Sequence, residues 1–575
     1  MLHAFDYSNI SLQDSMVKKS IDETIAFYLN IPNDNFFKYM REDAGLDAPG
    51  IYYQGWFKNS HGVALAGQWI SALSKMYAFT RRTPLKQKAI FMFEEFKKCH
   101  DLLAGTPKAL FKSTSHYSYE KLLRATCDLQ IYCQYDKAAQ WLPFLMDFAR
   151  NVLTRDNLFG NNRTEWYTMP EALYIVYETF GLEEAKELAE IWEYREFWDL
   201  FYKDADPFSK RPVAGLYSEY CHAYSHTNSF NSCAMAYKVH KDPYYLRALR
   251  KFYDFMQKEE VMATGGYGPN YEHLMHKHRI IDALRTGHDS FETQCDTYAA
   301  FRMINYLTNF TGEPQYGNWA EALIFNAAVA TIPMTEDGNV IYYSDYNMYG
   351  ASKINRQDGW TCCTGTRPLL MIEIPRLIYY TDDRALYVNQ YIPSTLQYTL
   401  NNVKVTLKQE TAFPVEDTVN FTLTLSEPAA FSLKFRMPSW LNKPVSLTIN
   451  SREAEVSVDA AGWLTICREW QDQDVICLTL PQELWMHSLD PIKNGPNAFL
   501  HGPVVLAASY TGIQTPNDWM DIHQLLPKME PIPNEPLHYR VKDIDTITFK
   551  PFYEYVEYER YFLYHDTTAH ASKRF

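Results

Sequence analysis

The sequence predicts a multidomain protein: an all-α region of paired amphipathic helices up to about residue 390, then β-sandwich modules. Three observations predict it. Apolar residues recur at helical spacing through the first region. Short turns containing Gly, Asp or Pro interrupt that region at intervals of roughly half a hundred residues. After about residue 385 the period switches to strict alternation.

In the helical region, GLEEAKELAEIW places Leu182, Ala185, Leu188, Ala189 and Trp192 on one face. DPYYLRALRKFYDFM does the same with Tyr245, Leu246, Leu249, Phe252 and Phe255. Turns at Thr83-Pro84, Tyr135-Asp136, Phe180-Gly181, Lys241-Asp242 and Thr311-Gly312 divide the region into helical hairpins. Such hairpins stack as an open solenoid or close into a ring, and the pattern alone does not choose. Further on, NVKVTLKQ, VNFTLTL and FSLKFRMP alternate apolar and polar residues, as half-buried strands do. Residues 511–575 are rich in Pro and aromatics, and ITFKPFYEY and YFLYHD suggest strands of a second, smaller β module. The predicted domains are therefore 1–390, 391–510 and 511–575.

A net charge of −14 argues against a nucleic-acid partner, because affinity for a phosphate backbone comes mainly from Lys and Arg. It disfavours an anionic membrane surface for the same reason, and no apolar run of spanning length occurs. The first residues, MLHAFDYSNISLQDS, lack the basic-then-apolar pattern of a signal peptide. The compartment, cytoplasmic or periplasmic, and homodimer formation are left open. An aromatic content of 15% suits a protein that stacks on sugar rings, though large helical folds also use aromatics as core filler.

The ten cysteines are scattered, unlike a disulfide scaffold. QDGWTCCTGTRPLL stands apart from the rest. Adjacent Cys362 and Cys363 have Cα atoms about 3.8 Å apart, below the usual disulfide range, yet two neighbouring thiolates can share one soft metal. In FETQCDTYAAFRM, Glu292 and Cys295 are three apart and share a face at a helix start. Spacing alone is compatible with a Cys₃Glu zinc site and with four unrelated buried residues.

Several dispersed motifs decide between them. The Cys-Cys stretch, Cys295 with Glu292, ATGGYGPNYEHL, EALYIVYETFGLEEAKELAEIW, YYTDDRALYVNQYIPS, FRMPSW and CREWQDQDVICLTLP occur together. Taken together, over roughly residues 55 to 510, the chain resembles glycoside hydrolase family 127, the β-L-arabinofuranosidase-like proteins. The resemblance implies an (α/α)₆ barrel with β-sandwich modules and Zn²⁺ held by a Glu and three Cys. It implies Cys362 as nucleophile, Glu272 as acid/base, and Cys295, Cys363 and Glu292 as further zinc ligands. It implies His226 and Tyr343 as substrate-binding residues and an oligosaccharide or glycan as substrate. The chemistry is a retaining hydrolysis in which sulfur replaces the second carboxylate.

The chain departs from the family at three places. The family's zinc Glu lies two residues before the Cys, where this chain has Thr293. Thr364, Gly365, Thr366 and Arg367 follow the Cys pair in place of Pro-Asn, so Arg367 is a candidate contact for an acidic sugar. In HYSYEKLL a family His is replaced, with Glu120 nearby. These departures keep two other readings open: an inverting glycosidase or lyase that uses two carboxylates, and a non-catalytic glycan-binding relative.

Overall fold

The computed structural model describes residues 1–106, 108–109, 116–153, 165–208, 222–288, 291–331, 341–355, 359–492, 495–510 and 522–565. Six inner helices form the barrel: Val63–Thr80, His116–Cys133, Met169–Phe180, Ala223–His240, Gln294–Thr311 and Cys362–Glu373. Each packs on the next, and Cys362–Glu373 returns to Val63–Thr80, so the ring is closed. An outer helix backs each inner one: Thr83–Leu103, Leu142–Asn151, Glu183–Ile191, Pro243–Phe255, Gln315–Leu323 and, for the last, Met16–Asn30. Closure needs the first outer helix to pair with the last inner one, a contact between residues some 340 positions apart that no local pattern encodes.

Four of the five turns read from the sequence join an inner helix directly to its outer partner, and Tyr135-Asp136 does so through the short helix Asp136–Ala139. Gly181 (φ 67°) and Gly312 (φ 72°) end their helices in the left-handed conformation that favours glycine. Asp242 caps the following helix by accepting the Tyr244 amide at 2.9 Å. The inner helices are buried almost all round, and ion pairs tie them together where their polar residues meet. Lys75 Nζ lies 2.7 Å from Glu373 Oε1, and Arg302 pairs with Glu171.

Two sheets follow the barrel. A five-stranded sheet has the order His3–Ala4, Tyr379–Thr381, Ala385–Val388, Ala429–Arg436, Trp463–Trp470. A seven-stranded sheet runs Arg452–Glu453, Ser446–Ile449, Val475–Thr479, Thr418–Leu425, Val403–Thr411, Ser394–Leu400, Ile10–Leu12. Their inner faces meet as a sandwich, with the Phe421 and Phe435 rings 5.0 Å apart. The extreme N-terminal strands thus belong to the sandwich rather than to the barrel.

The second β module starts earlier than position 511. Leu484–Ser488, Asn497–His501 and Val504–Tyr510 pair with Ile544–Pro551, Tyr539–Val541 and Met529–Pro531 in one six-stranded sheet. Strands lie on both sides of the boundary between the two modules, so the switch from helical to strand period does not mark where one sheet hands over to the next. Among the described residues no helix is long and apolar enough to cross a membrane.

Candidate active site

The helix that closes the ring also presents the cysteine pair. Its first turn is fixed from behind: the Thr364 carbonyl accepts the Tyr28 hydroxyl at 2.5 Å and the Trp69 indole at 3.1 Å. The Thr364 hydroxyl accepts the Thr361 amide at 3.2 Å. Cys362 is the first helical residue, where the helix dipole favours a thiolate. On the neighbouring inner helix, Gln294–Thr311, Cys295 sits in the first turn. Its Sγ lies 3.4 Å from Cys362 Sγ and 3.8 Å from Cys363 Sγ, and all three sulfurs lie within 4.8 Å of one another.

This donor set fits zinc. Thiolates at about 2.3 Å from a tetrahedral ion stand about 3.8 Å apart. The charges also call for a cation. Burial opposes ionisation of Cys363, yet the sulfhydryls of Cys295 and Cys362 pull it down to about 6. Contact with Cys295 and Cys363 in turn pushes the Cys362 thiol well up, and burial does the same to Cys295. Burial opposes ionisation of all three thiols, so three thiolates packed this closely need a positive neighbour. Cys295 and Cys363 are fully buried, whereas Cys362 is partly open to solvent.

Glu272 ends the short helix Pro269–Glu272, with a strained φ of 61° and only 4% exposure. Both of its carboxylate oxygens are engaged. Oε1 accepts the Thr293 hydroxyl at 2.7 Å, and Oε2 lies 3.2 Å from His222 Nε2. Its charge is felt at Cys295 and Cys363. Thr293 Oγ1 also lies 3.0 Å from Asp296 Oδ2. A hydroxyl has one hydrogen, so one of these two carboxyls is protonated when both contacts are made. Burial and the charge of Glu272 push the Asp296 carboxyl well up.

Four sequence expectations are placed differently or stay open. Glu292 does not join the cysteines. Its carboxyl accepts the Thr264 hydroxyl at 2.9 Å and fills the space where a side chain at Gly266 would stand, 1.8 Å from a Cβ built there. Burial leaves it pushed up to about 7. The extra residue between Glu292 and Cys295 carries this carboxylate to the opposite side of the chain. His226 is fully buried, donates from Nδ1 to the His222 carbonyl at 2.7 Å, and packs among Tyr167, Tyr194 and Phe197. The histidine that faces Glu272 is His222, one turn earlier.

Arg367, 4% exposed, donates to Gln294 Oε1 at 3.1 Å and to the Ala328 carbonyl at 2.7 Å. Through Nη1 it braces the two cysteine-bearing helices against each other. Glu120 pairs with Lys121 at 2.7 Å. Tyr343 lies in the strand Ile341–Ser344, and its side chain is outside the described residues.

Comparison with known proteins agrees with this geometry. The GH127 β-L-arabinofuranosidase catalytic domain matches residues 9–369, and the GH127 middle domain matches residues 385–482. The chain belongs to glycoside hydrolase family 127. A GH127 β-L-arabinofuranosidase from Geobacillus stearothermophilus T6 is 16% identical with a TM-score of 0.71, covering 97% of this chain and 100% of its own. A second GH127 β-arabinofuranosidase is 13% identical with a TM-score of 0.75, covering 100% of this chain and 99% of its own. No curated protein matches the chain.

Within this GH127 frame the residues missed from sequence are His222, Asp296 and Glu165. His222 and His226 are four apart, so the spacing offers two candidates on one face and only packing separates them. Asp296 is legible as the fourth residue of a Thr-x-x-Asp cap. Glu165 carries no local signal.

Proposed function

We propose that this GH127 member is a retaining glycosidase that removes β-L-arabinofuranosyl residues from plant-type glycans. Cys362 is its nucleophile, Glu272 its acid/base, and Cys295, Cys362 and Cys363 hold zinc. The observation that carries this reading is the three-sulfur cluster in which Cys362 alone reaches solvent, beside a buried carboxyl held at both oxygens.

Zinc, when bound, supplies the positive charge that keeps the sulfurs deprotonated. The Cys362 thiolate attacks the anomeric carbon as the bond to the leaving oxygen breaks, and Glu272 gives that oxygen its proton. Water then attacks the thioglycosyl carbon, Glu272 takes the water proton, and the sulfur leaves as thiolate. Two inversions at one carbon give net retention.

Two features weigh against the alternatives. An inverting pair of carboxyls stands about 6.5–9.5 Å apart to admit water. Glu272 and Asp296 each have an oxygen within 3.0 Å of the same hydroxyl, so they stand too close for that role. An acidic sugar gains no support from Arg367, whose guanidinium is occupied behind the cysteines.

Metal analysis and product stereochemistry test the reading. The purified protein is expected to hold one zinc per chain. Cys295→Ala is expected to lose it and Glu292→Gln to keep it. Proton NMR during hydrolysis of an aryl β-L-arabinofuranoside is expected to show the β-anomer first. An initial α-product, or full turnover by a metal-free protein, overturns the proposal.

A further inference from the structure

His222 has a second carboxylate on its far side. Its Nδ1 lies 2.9 Å from Glu165 Oε1, while its Nε2 lies 3.2 Å from Glu272 Oε2. The imidazole therefore bridges two carboxylates from separate parts of the barrel. Ser225 Oγ, 2.7 Å from Nδ1 and 2.8 Å from the Tyr167 hydroxyl, keeps the ring in this plane. Both carboxylates sit on left-handed backbone, φ 46° at Glu165 and 61° at Glu272. That conformation is strained in a residue with a side chain, and persists where surroundings impose it.

We propose that Glu165 is a positioning residue for Glu272, acting through His222 to fix the proton on Nδ1 so that Nε2 always addresses the acid/base carboxyl. The inference rests on the reading of Glu272 as acid/base. A carboxylate only accepts hydrogen bonds, so Glu165 holds an N–H at Nδ1 in every state of the ring. Nε2 then exchanges one proton with Glu272. When Glu272 is protonated, neutral Nε2 accepts from it. When Glu272 is ionised, Nε2–H donates to it, and the imidazolium stands between two negative charges.

Burial opposes charge on His222, but the hydrogen bonds to Glu165 and Glu272 outweigh it and hold the imidazole well above its usual range. The other ionisable groups facing this unit, among the described residues, are Tyr117 toward Glu165, Tyr224 beside the ring, His226 and His273, and Cys295, Cys363, Asp296 and Tyr267 around Glu272. His226, brought down to about 3 by burial, stays neutral. His222 and Glu272 share one proton across the Nε2–Oε2 contact, so the alkaline limb of acid catalysis is assigned to the loss of that shared proton.

Removing the negative charge of Glu165 weakens the hold on that proton. In Glu165→Gln the alkaline limb of kcat/KM on an arabinofuranoside with a poor leaving group is therefore expected to move down by about one pH unit or more. Above the limb, a displacement of one pH unit leaves the variant about tenfold slower than the parent. A dinitrophenyl leaving group, which needs no acid, is expected to react at the parental rate in the first step. Glu165→Asp is expected to return most of the alkaline limb to its parental position.

Nitrogen-15 NMR of the histidines gives a readout independent of turnover, with the His222 signal assigned by its loss in His222→Gln. The parent is expected to keep the Nδ1–H of His222 throughout. An unmoved limb in Glu165→Gln, or an Nε2–H tautomer in the parent at alkaline pH, overturns the proposal. If Glu272→Gln keeps full activity on the poor leaving group, the assignment of the acid/base fails instead, whatever Glu165 does.

Discussion

Replacing Cys362 by alanine is expected to lower kcat by at least about 10⁴-fold, the scale seen when a covalent nucleophile is removed. The loss should not come from unfolding. Cys362 is the first residue of its helix and is partly open to solvent, so its sulfur is not a core group. The Thr364 carbonyl keeps its bonds to Tyr28 and Trp69, which hold the turn without the thiol. Cys363→Ala is expected to be inactive through the metal alone, since Cys363 is sealed from solvent and is a zinc donor only, whereas Cys362 is both donor and nucleophile.

Mass spectrometry under denaturing conditions separates the two cases. With a dinitrophenyl arabinofuranoside, Glu272→Gln still forms the thioglycosyl adduct but lacks the base to clear it. The adduct should accumulate on the peptide that contains Cys362. Adding Cys362→Ala to that variant is expected to abolish it. Turnover by Cys362→Ala at a rate comparable with the parent would end the covalent mechanism.

What the sequence reveals, and what it hides, follows from the range of each interaction. Helix period, the five hairpin turns and strand alternation are local, and all reappear in the fold. The cysteines are legible because two sit side by side. Glu292 shows the limit of motif spacing. One inserted residue is a small change in sequence, yet on a helix entrance it turns the carboxylate from the cysteines toward Gly266 and Thr264. The family resemblance points to His226, one turn from His222, and only packing shows which of the two faces Glu272. Glu165 reaches Glu272 only through a histidine 57 residues further along the chain, and nothing short of tertiary packing announces such a contact.

The FRMPSW segment, in sequence only part of a family pattern, acquires a physical role in the fold and with it the second large effect. Arg436 is fully buried at the seam between barrel and sandwich. Its Nε donates to the Asn389 carbonyl at 2.6 Å, Nη1 to Asn318 Oδ1 at 2.6 Å, and Nη2 to Glu321 Oε1. Trp440, four residues on, donates its indole N–H to the other oxygen of Glu321 at 2.8 Å. One carboxylate on the outer helix Gln315–Leu323 thus anchors two side chains of the sandwich.

Glu321→Ala leaves a buried guanidinium without its counter-charge and an indole without its acceptor. Breaking one partner of a buried pair costs about 3–5 kcal/mol. Thermal unfolding is expected to begin at lower temperature and to split into two transitions, because the lost contacts are among those that couple the domains. The double variant Glu321→Leu with Arg436→Met removes both charges and is expected to recover much of the loss, but not all, since Trp440 still lacks its acceptor. If Glu321→Ala instead melts as one transition at the parental midpoint, this ion pair does not hold the sandwich to the barrel.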